Sequence, residues 1–409
     1  MEYQVTLQVK GEDLKVGTLY VNARRGIETS SFRYDPAYLA DRGAVPISPD
    51  LPLVDGSIHS QGQTLFGAFE DSMPDRWGRN LMLRAEKQVA KREARAQRAL
   101  LESDYLVGVS DEARQGALRI WAGEKPVAQP GVGVPREVSI PDLLAAADRA
   151  SADINADVSD LIAAGSSLGG ARPKASVVDE KGYLCIAKFP KADESSLEDV
   201  CAWEKTALDL AGEFGIKVPE TRLLRVAGRS VLLLRRFDRN EKGRIHYISG
   251  MTAVQGADGG RYSYLDLVSF IEGEGASPRE DIIELWKRIL FSCAIGNIDD
   301  HMRNHGFLNA GGGWRLSPLF DVNPTPGSNA KFLRSTIDFD RDEALPEVAV
   351  GACEWYRLSR SEACAYARDL AKTLDRWGRV ANANGISKQS QQYMADCFNA
   401  AIDRLGSVR

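Results

Sequence analysis

Residues 1–40 alternate between apolar and polar positions. Tyr3, Val5, Leu7 and Val9 are separated by more polar neighbours, the period of two expected of a strand with one buried face. Lys10-Gly11-Glu12-Asp13 supplies a turn, residues 16–21 a second strand and residues 30–34 a third, so the pattern predicts a small β-rich domain. From residue 65 the period changes. Leu65, Phe66 and Phe69 share one helical face, and Asp75, following Pro74, is placed to cap a helix carrying Trp77, Leu81 and Leu83. The charged run 86–98 reads as helical, with mixed signs that suit a solvated face. Residues 122–136 are rich in Pro and Gly and read as a linker.

Beyond the linker, two short helices are predicted at 140–150 and 156–164, then a hairpin of 176–178 and 183–189 turning at Glu180-Lys181-Gly182. A helix over 196–214 ends at Gly215. Two strands follow at 220–226 and 230–237, the second with an apolar run at 231–234 that reads as buried on both faces. Helices are predicted at 264–271 and 278–294, the latter with the stripe Ile282, Leu285, Trp286, Ile289, Leu290 and Cys293. From residue 341 the chain reads as a helical tail, with helices near 359–377 and 387–405.

Composition narrows the class without naming a function. A chain of 409 residues is long enough for two or three domains with real cores. The net charge of -5 gives no support for nucleic acid as the main ligand. The six cysteines are scattered with no C-x-x-C pair, which argues against a disulfide framework or a thiolate zinc site and fits a reducing cytosol. The alternating, charged N-terminus does not read as a signal peptide, and no run approaches the roughly 18 apolar residues of a membrane helix. A cytoplasmic chain without a membrane partner is expected.

The chemistry concentrates in residues 295–324. Asp299 and Asn304 are separated by four residues, a hairpin signal with Gly311, Gly312 and Gly313 follows, and Asp321 lies in Leu319-Phe320-Asp321-Val322. A loop, a hairpin and a second loop can bring three oxygen-bearing side chains together. Phosphoryl transfer needs such a set: one carboxylate for the attacking hydroxyl, an amide and a second carboxylate for Mg²⁺. Asp300 is one residue out of register for D-x-x-x-x-N, so Asp299 is the better base. By spacing alone the same residues also suit a surface hairpin with capping Asp and Asn. Upstream, the Gly- and Ser-rich stretch 163–175 ends beside Lys174 and can set backbone N–H groups and an ammonium against phosphates; it also suits a plain turn. Lys188 closes an apolar strand and is the kind of residue that pairs nucleotide phosphates. Glu204, near the start of the next helix, is its best ion-pair partner. The exit Arg235-Arg236-Phe237-Asp238-Arg239 is where a chain would cross between lobes.

This order of parts is that of protein kinases. The segments Ser166-Ser167-Leu168-Gly169-Gly170-Ala171-Arg172-Pro173-Lys174, Ala187-Lys188-Phe189-Pro190, Arg236-Phe237-Asp238-Arg239, Asp299-Asp300-His301-Met302-Arg303-Asn304 and Ser317-Pro318-Leu319-Phe320-Asp321 resemble the HipA-like serine/threonine kinases. Asp75-Arg76-Trp77-Gly78 looks like that family's leading domain. The resemblance implies an α+β, two-lobed protein-kinase-like fold with a β-rich N-lobe and a helical C-lobe, preceded by a small β-rich N-terminal domain. The domains expected are 1–121 (β-rich, then helical), the linker 122–136, the kinase N-lobe 137–238 and the C-lobe 239–409.

The family's roles carry over by position. Asp299 would be the general base, and Asn304 and Asp321 the Mg²⁺ ligands. Lys188 would bind the phosphates of ATP. Gly169, Gly170, Ala171, Arg172, Pro173 and Lys174 would cover them. Arg235, Arg236 and Phe237 would offer backbone groups to adenine, and His301 would lie beside the nucleotide. Ser167 matches the serine that family members phosphorylate on themselves, silencing the kinase. Its phosphate, at roughly -1.5 to -2 charge, would repel those of ATP. Arg235 stands where relatives often carry an acidic residue, and Arg172 adds a cation to the loop.

The resemblance further implies a growth-arresting toxin of a toxin–antitoxin pair, linked to persistence. A helix-turn-helix antitoxin would restrain it, and operator DNA would be reached only through that complex. Its substrate would be a translation-related protein such as an aminoacyl-tRNA synthetase. The competing readings are a small-molecule phosphotransferase on a kinase-like fold and an inactive co-repressor subunit.

Overall fold

The structure is a computed structural model that describes residues 1–128, 134–164, 172–327, 329 and 331–408. The chain packs into two compact units, Met1–Ala192 with Arg235–Ile248, and Asp193–Leu234 with Ser249–Arg409.

The first unit opens on a six-stranded antiparallel sheet ordered Ser57–His59, Ile27–Tyr34, Glu12–Arg24, Glu2–Val9, Leu118–Ala122, Lys125–Pro126. The expected alternation holds over Tyr3, Val5 and Leu7, which are buried, and fails at Val9, which is exposed beside the turn. Register shifts between Val5 and Thr6, leaving Val16 as an extra residue opposite them. Gly17 follows it because a Cβ there would lie 2.3 Å from the Arg33 carbonyl oxygen. Residues 122–126, assigned from sequence to a linker, instead turn back and pair in this sheet.

Asp75 caps the helix Arg76–Arg92, its carboxylate accepting from Gly78 N at 2.8 Å. The helix stops at Arg92 although the charged run continues to 98. Arg95 folds back to donate to Glu86 at 2.7 Å, and Arg98 N donates to the same carboxylate at 3.0 Å, so these residues turn off the helix axis. The helix Ile140–Ala152 follows, then the hairpin of Lys174–Val178 with Leu184–Lys188.

Segment 235–248 belongs to this unit through buried charge. Arg236 donates to Asp238 and to the Ala113 and Arg114 carbonyls, and Gly116 N donates to Asp238 at 2.7 Å. Burial would raise the Asp238 carboxyl, but Arg236 and Arg239 outweigh it and hold it well below the usual range. Nearby, His246 Nε2 lies 2.7 Å from the Ile47 carbonyl oxygen. Burial pushes the His246 pKa down to about 4 from an ordinary 6.5, against a smaller opposing pull from that carbonyl. The unfolded chain therefore binds the proton first. Stability on the order of 3 kcal/mol is present above about pH 6.5 and is lost as pH falls toward 4. Denaturant titrations across that window should be steeper in pH for the parent chain than for His246→Gln.

In the second unit, Thr221–Val226 and Arg229–Arg235 form a hairpin whose turn residues Ala227 and Gly228 have φ of 49° and 77°, the positive pair of a type I′ turn. The helix Val200–Glu213 buries Trp203 against Trp377 and Phe398, and Trp203 Nε1 donates to Ser390 at 3.0 Å. The predicted stripe on Pro278–Ile295 is buried throughout. Its last turn closes on Gly296, with φ of 65°. The tail carries Arg360–Leu374 and Lys388–Ser407 as helices, close to the predicted ranges.

Candidate functional site

Directly after Gly296 the chain makes the loop that carries the expected base. Asp300 and His305 are among the residues of that loop that face inward. Asp300 is 3% exposed. It accepts from Tyr264 Oη at 2.9 Å and Ser292 Oγ at 3.2 Å, and its other oxygen lies 3.1 Å from His305 Nε2. Burial alone would raise the Asp300 carboxyl; His305, Tyr264 and Ser292 outweigh it and hold it below its ordinary value. Tyr264 is driven the opposite way, well above the usual phenol range, by burial and by that carboxylate.

The Asp300–His305 contact closes the foot of the loop, and each partner stands next to an expected catalytic residue. Asp299 projects outward: its side chain is 75% exposed, with Arg334 Nε at 3.4 Å. Asn304 is buried, and its Nδ2 donates to the Asp299 carbonyl oxygen at 2.9 Å. Among the described residues no donor holds its Oδ1, the atom a hard cation would take. The out-of-register Asp300 is thus structural, and Asp299 is the carboxylate offered to solvent.

The next two strands, Gly306–Asn309 and Trp314–Leu316, pair as the predicted hairpin and lead to Asp321. Asp321 has φ of 57°, a left-handed backbone uncommon outside glycine that Asp tolerates better than most. Such a conformation persists only where the surroundings impose it. Two residues on, Asn323 N donates to Asn297 Oδ1 at 3.2 Å, while Asn297 Nδ2 donates to Ser292 Oγ at 3.3 Å. Asn297 therefore ties the Asp321 segment to the helix that carries the Asp299 loop. His301 is part-buried, and among the described residues its ring Nδ1 has no hydrogen-bond partner.

Sequence reasoning missed Tyr264, Ser292, Asn297, His305 and Arg334. The adjacency of Asp300 to Asp299 and of His305 to Asn304 was the only signal available. Among the described residues no three His, Cys, Asp or Glu cluster for a metal. Asn304 with Asp321 offers one amide oxygen and one carboxylate, a set that suits Mg²⁺ holding waters and phosphates and suits no thiophilic ion.

The remaining expected site residues divide between the units. Glu204 is 2% exposed in the second unit; Lys188 ends its strand in the first. Arg172 and Pro173 lead into strand Lys174–Val178, and the Pro173 carbonyl accepts from Phe189 N at 2.9 Å. Gly169, Gly170, Ala171 and Ser167 lie outside the described residues. Lys174 departs from expectation: its ammonium is buried and donates to Asp75 at 2.9 Å, so a carboxylate occupies the place assigned to a phosphate. Arg236 departs as well. Its N–H donates to the Leu184 carbonyl at 3.0 Å, which removes that donor from adenine, and its guanidinium is committed to Asp238. Arg235 stacks its guanidinium 3.4 Å from the Tyr183 ring centroid, and the Phe237 ring packs on Tyr247.

Residues 166–394 match the HipA-like C-terminal domain family, and residues 7–102 match the HipA N-terminal domain family. Y4mE of Sinorhizobium fredii, a protein with a provisional kinase name, is 26% identical over 151 residues, 34% of each chain. A Haemophilus influenzae protein of the same provisional name is 25% identical over 190 residues, covering 40% of this chain and 54% of that one. The chain thus spans between a third and about half the length of these relatives. A solved structure from Shewanella oneidensis, HipA with HipB and operator DNA, aligns at a TM-score of 0.67 and 16% identity, over 98% of this chain and 96% of that one. That likeness shows a mixed α/β chain with the HipA fold.

Proposed function

The chain belongs to the HipA family, and from that premise we propose that it is an ATP-dependent protein serine/threonine kinase acting as the toxin of a toxin–antitoxin pair. The observation that carries this reading is the loop closed at its foot by Asp300 and His305, which leaves Asp299 exposed and Asn304 fixed on the Asp299 carbonyl. Kinase chemistry is mostly positioning and electrostatics, and this loop is built to position.

Asp299 orients the substrate hydroxyl and accepts its proton. Asn304 and Asp321 hold Mg²⁺, which when bound neutralises charge on the phosphate oxygens. Lys188 takes the phosphates, and His301 lies beside the nucleotide. Adenine is met by backbone groups of Arg235 and Phe237. Gly169 to Ala171, with Arg172, cover the phosphates, and phosphate on Ser167 silences the enzyme through repulsion and a new partner in Arg172. A helix-turn-helix antitoxin and, through it, operator DNA are the partners; support comes from the Shewanella HipA, solved with HipB and operator DNA. The substrate class is a translation-related protein such as an aminoacyl-tRNA synthetase.

The experiment is transfer of label from γ-labelled ATP with Mg²⁺ in the purified chain. Label on Ser167 and on an added protein substrate supports the reading. Label only in an added small molecule would make the chain a small-molecule phosphotransferase. ATP binding without transfer to any acceptor would leave it a silent co-repressor subunit.

A further inference from the structure

Arg334 reaches the expected base from a different segment of the second unit. Its neighbours in the chain, Leu333 and Ser335, are buried. Leu333 N donates to the Asp342 carbonyl at 2.7 Å, and Thr336 N to the Tyr262 carbonyl at 3.0 Å. The Thr336 carbonyl accepts in turn from Tyr264 N at 2.9 Å, and Tyr264 Oη donates to Asp300 at 2.9 Å. Tyr264 thus joins the backbone that carries Arg334 to the loop that carries Asp299. The Arg334 side chain is held far less. It is 69% exposed, and among the described residues its guanidinium meets Asp299 alone, Nε to Oδ1 at 3.4 Å. An exposed pair at that distance is weak and easily exchanged. Two other cations of these segments are engaged elsewhere. Arg303 Nε donates to Asp258 at 3.0 Å, and Lys331 Nζ donates to the Thr325 and Gly327 carbonyls at 2.6 and 2.9 Å.

In the transfer step the acceptor oxygen bonds to the γ-phosphorus while the bond from that phosphorus to the β–γ bridging oxygen breaks. The acceptor proton passes to Asp299, and ADP leaves with the electron pair. The acceptor oxygen must stand about 2.6–3.2 Å from Asp299 to give up that proton, and the phosphoryl group lies directly beyond it. Charge spreads over three equatorial phosphoryl oxygens during the step. It therefore develops within a side chain's reach of a guanidinium that already touches the same carboxylate. When Asp299 turns to the hydroxyl, Arg334 exchanges its partner, and its planar fork matches two phosphoryl oxygens. We propose that Arg334 is a catalytic residue, binding the equatorial oxygens of the phosphoryl group as it passes to the acceptor. This rests on the reading of Asp299 as the base of a kinase.

The test is the rate at which the full chain labels itself from γ-labelled ATP at saturating Mg·ATP, with Mg·ATP affinity and thermal unfolding measured on the same preparations. Arg334→Met is expected to slow transfer by about 10²–10³-fold. Its Mg·ATP affinity should stay within about threefold of the parent, because the contact forms only in the transition state. Its unfolding temperature should not move, because an exposed pair is all that is lost. Arg334→Lys keeps a charge without the fork and is expected to lose about tenfold. Arg334→Gln replaces the Met variant if that one does not fold, with the same expectation. Residual transfer by Asp299→Ala, followed over hours, should fall further in Asp299→Ala/Arg334→Met. A folded Arg334→Met chain that transfers within about threefold of the parent would leave Arg334 a surface ion pair. A matching loss of Mg·ATP affinity would place it on the ground-state nucleotide, and a double variant no slower than Asp299→Ala would mean that it acts only by holding Asp299. Each of these overturns the proposal while the parent's own transfer keeps the kinase reading. A parent chain that transfers no label fails the kinase reading first and takes this one with it.

Discussion

Asp299→Ala is expected to cut phosphoryl transfer by about 10²–10⁴-fold while leaving Mg·ATP affinity within a few-fold of the parent chain. The split follows from where the side chain stands. Asp299 is largely exposed, and among the described residues its carboxylate accepts no hydrogen bond and meets Arg334 alone, in an exposed ion pair at 3.4 Å. Exposed pairs of this kind contribute little to stability, so the variant should fold like the parent. The Asp299 carbonyl, which anchors Asn304, is backbone and survives the substitution. What disappears is the group that orients the acceptor hydroxyl. A large loss of ATP affinity would instead place Asp299 on the nucleotide and count against its assignment as base. Asp300→Ala offers a contrast: it removes a buried carboxylate held by Tyr264 and Ser292, so its first effect should be on thermal stability.

Asp321→Asn is expected to abolish transfer and to weaken Mg·ATP binding by roughly tenfold or more, with a rise in the Mg²⁺ concentration needed for half-saturation. Asn is the cleaner substitution because position 321 has φ of 57°, and Asn tolerates that conformation where Ala is strained. The loss is then one of charge on a cation ligand and not of backbone shape. Titration of Mg²⁺ at fixed ATP separates the two Asp variants. The Asp299 variant should keep the parental curve, and the Asp321 variant should shift it.

Much of the fold was readable from period alone. Tyr3, Val5 and Leu7 alternate because one face of their sheet is buried, and Ile282 to Cys293 recur at helical spacing because one stripe of that helix is buried. Asp75 was readable as a cap because capping is local. The failures come from hydrogen-bond, ion-pair and strand partners that the hydrophobic period does not report. Nothing near the charged run 86–98 announces that Arg95 and Arg98 turn back onto Glu86. Residues 122–126 look like linker, yet the edge of a six-stranded sheet takes them up. Arg236 reads as part of a hinge, but its guanidinium is held by carbonyls more than a hundred residues away.

At the candidate site the same division holds. Spacing singles out Asp299, Asn304 and Asp321 as candidates. It could not give Tyr264, which reaches Asp300 across 36 residues, or the pairing of Lys174 with Asp75. Spacing reports which groups are available; burial decides which of them are already committed. Asp300 and Lys174 carry the right charges for the site, and the fold has given both of them other partners.

The central claim is that this chain binds Mg·ATP and that the binding depends on both Lys188 and Asp321. Calorimetric titration of the full chain with Mg·ATP tests it most directly, using the parent, Lys188→Met and Asp321→Asn. The account predicts one ATP per chain, binding that depends on Mg²⁺, and a loss of about tenfold or more in each variant. No binding by the parent, or binding that neither substitution changes, would contradict it.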